Sequence, residues 1–484
     1  MKQRLNSQNG KVKALAPLLL IIILAVLLRV AVAFYLGNSI EEVRGGTFDQ
    51  ISYDALALRV MDGHGFSFAT DSWPYAKANQ PTAFWSYLFT LFLAGIYSLA
   101  GHEPLVARII QAILVGIVMP WLVYRIGARV FDRRVGLIAA LIAAIYFYFI
   151  NYAASLMTES LYIVGILWTI DVAMRLAIQA EGCSAGELTC SQRHMLRLGL
   201  ELGLAMAFTL LMRQVIVIFL PVLGLWLLWI AWRRNQLKGT ILALAVAAFV
   251  TALALLPFVI RNYRAFGQVS MPNTNVGFNF FWSNHPIYGT TFVPVIYESS
   301  GITYPELIPP ELRHLNEAEL DRALLARGIQ IVLEDPTRYL QLSLSRFPVY
   351  FLFWPTGTSS TLSNAARVLS FGIFLPFMIY GLITAFLRAK IGKSEQVADT
   401  QDPVSMACAH LHCEFLALLG AYMIVYTAIH IASWANVRYR LPVDVFLIIF
   451  AAYAIDDLLW RVLKIGSGKQ KRQNPDLVFP MEGS

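Results

Sequence analysis

The chain has 484 residues, 57% of them hydrophobic and only 14% charged, with a formal net charge of +8. Soluble domains carry about a quarter of their residues as charges, so this composition excludes an ordinary soluble protein and reads as an integral membrane protein. The basic excess clusters beside apolar runs and forms no continuous aromatic-basic surface, which argues for positive-inside topology over nucleic-acid binding, and four cysteines (Cys183, Cys190, Cys408, Cys413) argue against a disulfide framework.

The first apolar run, Leu15 to Leu36, has the ~20 residues a helix needs to cross a hydrocarbon core and lacks the cleavage site of a secretory signal. Lys2, Arg4, Lys11 and Lys13 hold its N-terminal side in the cytoplasm, so residues 37–80 are expected outside. That loop is acidic, with Glu41, Glu42, Asp49, Asp54, Asp62 and Asp71 against Arg44, Arg59 and Lys77. The next apolar stretch, Phe84 to Gly101, is short and aromatic. Counting it as a crossing would put the basic loop with Arg125, Arg129, Arg133 and Arg134 outside, so it is expected to lie in the outer interface or to re-enter it.

Further spans are expected at about 105–124, 135–151, 159–176, 196–212, 214–232 and 238–258. Residues 259–339 form a long external loop whose middle, "PPELRHLNEAELDRALLARGIQIVLEDP", has helical periodicity. The segment 340–356, broken by Arg346 and Pro348, is a second doubtful crossing; spans at 367–388, 414–434 and 440–460 follow, with a cytoplasmic tail. The expected fold is all-α and polytopic, with about 10–12 transmembrane helices. Its parts are a transmembrane module 1–258 carrying a catalytic first external loop (37–104), the external loop 259–339, and a C-terminal transmembrane module 340–484.

Charged groups beside apolar spans are costly, so their placement is informative. On this topology one outer face collects Asp49, Asp54, His64, Lys77, Gln80, Glu159, Arg213, Arg261, Arg264, Asn284, His285, Arg438 and Arg440. Carboxylates beside arginines suit a transfer with an anionic leaving group: a carboxylate deprotonates a hydroxyl, while guanidinium groups hold phosphate. Taken singly, each residue has a plainer reading. Asp49 can cap the helix that follows it, and Asp54 and Asp62 can be solvated helix-face carboxylates. Glu159 can complement a helix dipole, and Arg438 and Arg440 can snorkel. His64 in "GHG" suits a turn, and His285 before Pro286 is equally open. "CAHLHCE", with Cys408, His410, His412 and Cys413, has zinc-type ligands at a spacing tighter than structural sites, and its plainer reading is a polar loop. No nucleotide-binding loop, serine-hydrolase elbow or HExxH helix stands out.

The pattern resembles the GT-C membrane glycosyltransferases that use polyprenyl-phosphate sugars, on the branch of protein O-mannosyltransferases and the lipid A aminoarabinose transferase. The residues that carry the resemblance are "DQISYDALALRVMDGHGFS", with Asp49 at the family's catalytic position and Tyr53 four residues on, and "NQPTAFWSYLF", where Gln80 replaces a basic residue and Lys77 is a substitute. They continue through "YAASLMTESLY", with Glu159 at the second acidic position, then "PFVIRNYRAFG", "TNVGFNFFWSNHP" and "RYRLPVDVFLIIFAAYA". The resemblance implies an inverting transfer of a monosaccharide to a lipid, glycan or protein hydroxyl at the periplasmic face of a bacterial inner membrane. Asp49 is then the base. Arg261, Arg438 and Arg440, with Lys77 and Arg213 behind them, hold the phosphate, and Tyr53, Asp54, Gln80, Arg264, Asn284 and His285 are further substrate-binding candidates. A divalent metal is left unassigned, with Asp54 and Glu159 as candidate ligands beside Asp49. The competing readings are a lipid-linked oligosaccharide ligase or polymerase, and a secondary transporter; against the latter, there is no internal repeat and the polar groups gather at one face.

Overall fold

In the computed structural model the described residues are 2–40, 49–73, 75–184, 192–293, 302–357, 359–399 and 403–467. They form seventeen α-helices and, among the described residues, no strand beyond isolated bridges in the loop at 67–81. In chain order the first nine are α1 (Lys2–Leu36), α2 (Asp49–Met61), α3 (Tyr87–Ala100), α4 (Pro104–Val130), α5 (Arg133–Ile145), α6 (Phe147–Ala154), α7 (Glu159–Ser184), α8 (Gln192–Met212) and α9 (Leu220–Arg233). The rest are α10 (Leu237–Phe266), α11 (Val276–Asn284), α12 (Glu317–Glu334), α13 (Pro336–Tyr350), α14 (Thr361–Arg367), α15 (Ile373–Asp399), α16 (Pro403–Ala432) and α17 (Val437–Ser467).

Among the described residues, seven helices are long and apolar enough to cross a membrane, or eight if the bent pair α5–α6 is one span. About ten were expected, and the difference lies in two segments. Residues 214–232 form a 3-10 turn, Gln214–Ile218, and the 14-residue α9. These still join the two ends of the bundle, because Arg213 bonds Glu159 at one end and Arg233 pairs with Glu414 at the other. Residues 440–460 lie in α17, which at 31 residues has ample length but carries Arg440, Asp444, Asp456 and Asp457 in its apolar stretch. Arg440 and Asp444, both fully buried, neutralise one another across one turn at 2.9 Å.

The two doubtful crossings are short. At about 1.5 Å per residue, the 14 residues of α3 and the 15 of α13 fall well below the ~30 Å of a hydrocarbon core. Ser86 caps α3 by accepting from the Phe89 amide, and the buried Arg346 ties α13 to Asn284 Oδ1 at 2.8 Å. "CAHLHCE" lies within α16 instead of forming a loop. The side chains of Cys408 and His410 fall outside the description, as do those of Cys183 and Cys190; His412 Nδ1 lies 2.5 Å from the carbonyl of Val130.

Small residues let the long helices close. Gly199 and Gly203 on α8 face Ala243 and Ala247 on α10, and an ideal Cβ on Gly199 would lie 2.5 Å from the Ala243 carbonyl. The α5–α6 pair bends by 55° at Tyr146, which frees carbonyls of the last α5 turn. The buried Arg29 of α1 donates to two of them, Ala143 O and Ala144 O, both at 3.0 Å. A cation at a helix C-terminus also complements its dipole. The bend lets α6 turn toward the start of α7, where Glu159 stands.

Candidate active site

Four helix ends meet at one end of the bundle. Asp49 opens α2, Glu159 opens α7, Arg213 follows α8, and Arg438 lies in the first turn of α17. Carboxylates are favoured at helix N-termini, where amide dipoles point at them, so sequence places both acids at local electrostatic minima. Tertiary packing then joins positions 389 residues apart: Arg438 Nη1 lies 2.5 Å from Asp49 Oδ2. The same nitrogen is 3.6 Å from Glu159 Oε1, to which Arg213 Nη2 donates at 2.7 Å while its Nε donates to Thr158 Oγ1 at 2.9 Å. Asp49 and Glu159 are 6% and 2% exposed, so the charges must be satisfied internally, and two guanidiniums match two carboxylates. Among the described residues, the buried Glu159 Oε2 and Arg438 Nε have no hydrogen-bond partner.

Tyrosines enclose this quartet. Tyr53, one turn along α2 from Asp49, packs edge-on to Trp85 and Phe89, and burial pushes its phenol well up, against the opposing pull of Arg213. It is therefore a protonated hydrogen-bond donor across the physiological range. Tyr439 accepts from Arg438 Nη2 at 3.1 Å, and its ring lies 5.4 Å and 5.0 Å from the guanidinium carbons of Arg213 and Arg438. Tyr152 of α6 sits within electrostatic reach of Glu159, Arg438 and Asp49. Neither Tyr439 nor Tyr152 is among the residues expected from sequence. Tyr439's position between two candidate arginines was a usable signal, whereas nothing in "INYAAS" distinguished Tyr152.

The other candidates are distributed elsewhere. Asp54, on α2, accepts from Tyr97 Oη at 2.7 Å and lies 3.0 Å from His102 Nε2. Tyr97 is pushed up by burial and by this carboxylate. Arg261 fastens the first loop, donating to Thr82 O, Tyr87 Oη and Phe66 O. Lys77 donates to Arg313 O at 3.1 Å, and with Gln80, Asn316 and Glu317 it lines a cavity of about 100 Å³. Arg264 is exposed. Asn284 accepts from Arg346, and His285, lowered to about 4 by burial and by Arg338 and Arg327, accepts from the Ile287 amide. Arg440 pairs with Asp444 and donates to Tyr350 O. Asp62 and His64 are exposed.

A divalent cation needs several hard oxygen ligands in one place. Asp54 and Glu159 have separate partners, Asp49 and Glu159 are already neutralised by guanidiniums, and among the described residues no three acidic, histidine or cysteine side chains converge. This donor set does not fit a divalent ion.

A sequence model of the family described as dolichyl-phosphate-mannose-protein mannosyltransferase matches residues 85–260. No curated protein sequence matches the chain. Among solved structures, the chain is similar to the archaeal oligosaccharyltransferase AglB of Archaeoglobus fulgidus in complex with an inhibitory peptide and a dolichol-phosphate, with TM-score 0.55 and 16% identity over 97% of this chain and 53% of that one. The oligosaccharyltransferase from the same organism tethered to an acceptor peptide gives TM-score 0.53 at 16% identity over 98% and 53%, and its apo form gives 0.51 at 17% over 95% and 53%. The chain thus spans about half the length of these relatives. It shares the GT-C fold of these structures, and the mannosyltransferase-family model matches only its part from α3 into α10.

Proposed function

We propose that the protein is an inverting glycosyltransferase that moves a monosaccharide from a polyprenyl-phosphate donor to a hydroxyl of a lipid, glycan or protein acceptor. The observation that carries this reading is the buried Asp49–Arg438–Glu159–Arg213 quartet on a GT-C fold. The donor's phosphodiester bears one negative charge, and the two guanidiniums are its natural partners. As Arg438 turns to the phosphate, Asp49 is released to accept the proton of the acceptor hydroxyl. The acceptor oxygen bonds to the anomeric carbon from the face opposite the phosphate, and the carbon–oxygen bond to phosphate breaks with its electron pair staying on the phosphate. The leaving group gains the negative charge that Asp49 loses on protonation. Arg213 and Arg438 stabilise that developing charge, a contribution strengthened by the water-poor surroundings of the quartet. Glu159 holds both guanidiniums in position. The site then faces the periplasm of a bacterial inner membrane, opposite the basic N-terminal tail.

Purified protein supplied with labelled polyprenyl-phosphate sugars and an acceptor panel should release polyprenyl phosphate and yield a product of inverted anomeric configuration. Transfer only from diphosphate-linked oligosaccharides, or solute movement without any labelled product, would refute this reading in favour of a ligase or a transporter.

A further inference from the structure

At the opposite end of the bundle from the quartet lies a second charged cluster that the proposed chemistry does not use. Asp171, in α7 and 1% exposed, accepts from three guanidiniums: Arg125 Nε at 3.1 Å, Arg175 Nε at 3.1 Å, and Arg129 Nη1. Arg175 also pairs with Glu201 of α8, which accepts from Trp168 Nε1 at 3.0 Å. Three arginines against two carboxylates leave the cluster one positive charge in excess. An unmatched charge beside apolar helices is costly, so this excess calls for an anion.

The depth of the cluster indicates which anion. Asp171 and Arg175 lie twelve and sixteen residues along α7 from Glu159, or roughly 18–24 Å at helical rise, which brings them near the far boundary of a ~30 Å core. The three arginine side chains keep 15–24% exposure. Trp121, 40% exposed and one turn before Arg125, stacks on its guanidinium at 4.7 Å, the placement of an aromatic anchor at headgroup level. Arg125 commits only Nε to Asp171; among the described residues both of its Nη groups lack a hydrogen bond and are left as a donor fork.

We propose that Arg125, Arg129 and Arg175 form a binding site for the phosphate of an anionic phospholipid headgroup in the leaflet opposite the active site. Arg125 is the residue that recognises it, and Asp171 holds the three guanidiniums together. This site is independent of the glycosyl-transfer chemistry.

The full-length protein in neutral detergent, titrated with phosphatidylglycerol, should show a saturable rise in its unfolding temperature that phosphatidylcholine does not produce. Arg125→Gln leaves Asp171 paired with Arg129 and Arg175 and should fold, yet bind the anionic lipid about tenfold more weakly, as expected for loss of a charged hydrogen-bonding group. Arg388→Gln, at another ion pair of the same end, should respond like the parent protein. Equal stabilisation of the Arg125→Gln and parent proteins would overturn the proposal, as would equal stabilisation by phosphatidylcholine. Inorganic phosphate matching phosphatidylglycerol at equal concentration would overturn the lipid as the source.

Discussion

Asp49→Asn removes one negative charge and the basicity of the carboxylate while keeping its shape. The lost charge stands 2.5 Å from Arg438 Nη1 in a site where Asp49 is 6% exposed. Stripping a buried pair of one member costs about 3–5 kcal/mol, but here the amide oxygen still accepts from Arg438 and Glu159 Oε1 lies 3.6 Å away, so the folding penalty should stay below that range. Catalysis should fall much further: losing a positioned general base costs about 10²–10⁴-fold, or roughly 3–5.5 kcal/mol of barrier. The assay is label transfer at saturating donor, so that kcat is read apart from donor binding, with thermal unfolding measured on the same preparation. Asp54→Asn is the internal control. It lies on the same helix, but its carboxylate faces Tyr97 and His102, so its effect should appear in stability and not as a comparable drop in kcat. A folded Asp49→Asn protein that transfers sugar at the parent rate would refute Asp49 as the base.

Arg213→Ala removes a 2.7 Å charged contact to Glu159, and kcat/KM should fall about ten- to hundredfold in the same assay. Arg29→Gln leaves part of the bent helix end without donors and should lower stability by about 2–4 kcal/mol in denaturant or thermal unfolding. Asp321 of α12 accepts from the Gly277 and Phe278 amides, yet burial raises its carboxyl to about 6. A carboxyl raised in the folded state contributes stability that is present below its unfolded value near 3.8 and lost as pH rises through about 6, here roughly 2–3 kcal/mol. Unfolding temperature should therefore fall between pH 4 and pH 6, and Asp321→Asn should flatten that slope. In a cysteine-free background, His102→Cys should react with an impermeant thiol reagent from the periplasmic side; labelling from the cytoplasm would invert the proposed orientation.

Much of the helical layout is written in local sequence. Apolar length determines α1, α4, α7, α8, α10 and α16, and the charge balance around residues 84–101 already argued that the segment now seen as the short α3 does not cross. Taken singly, Asp49 and Glu159 read as helix-start carboxylates, and only the family resemblance set them apart from the other acids. The count of spans was less legible, because Asp444 becomes tolerable in α17 only through Arg440, and the bend at Tyr146 is held by Arg29, a residue more than a hundred positions away. Position along the chain could gather thirteen polar residues on one face, but only tertiary packing separated them. It brought Arg438 to Asp49 and Arg213 to Glu159, and it gave Arg261 to the loop, Asp54 to His102 and Arg440 to Asp444. The physical reason is that helix formation and membrane insertion depend on local composition, whereas pairing a buried charge depends on which distant helix supplies the opposite one.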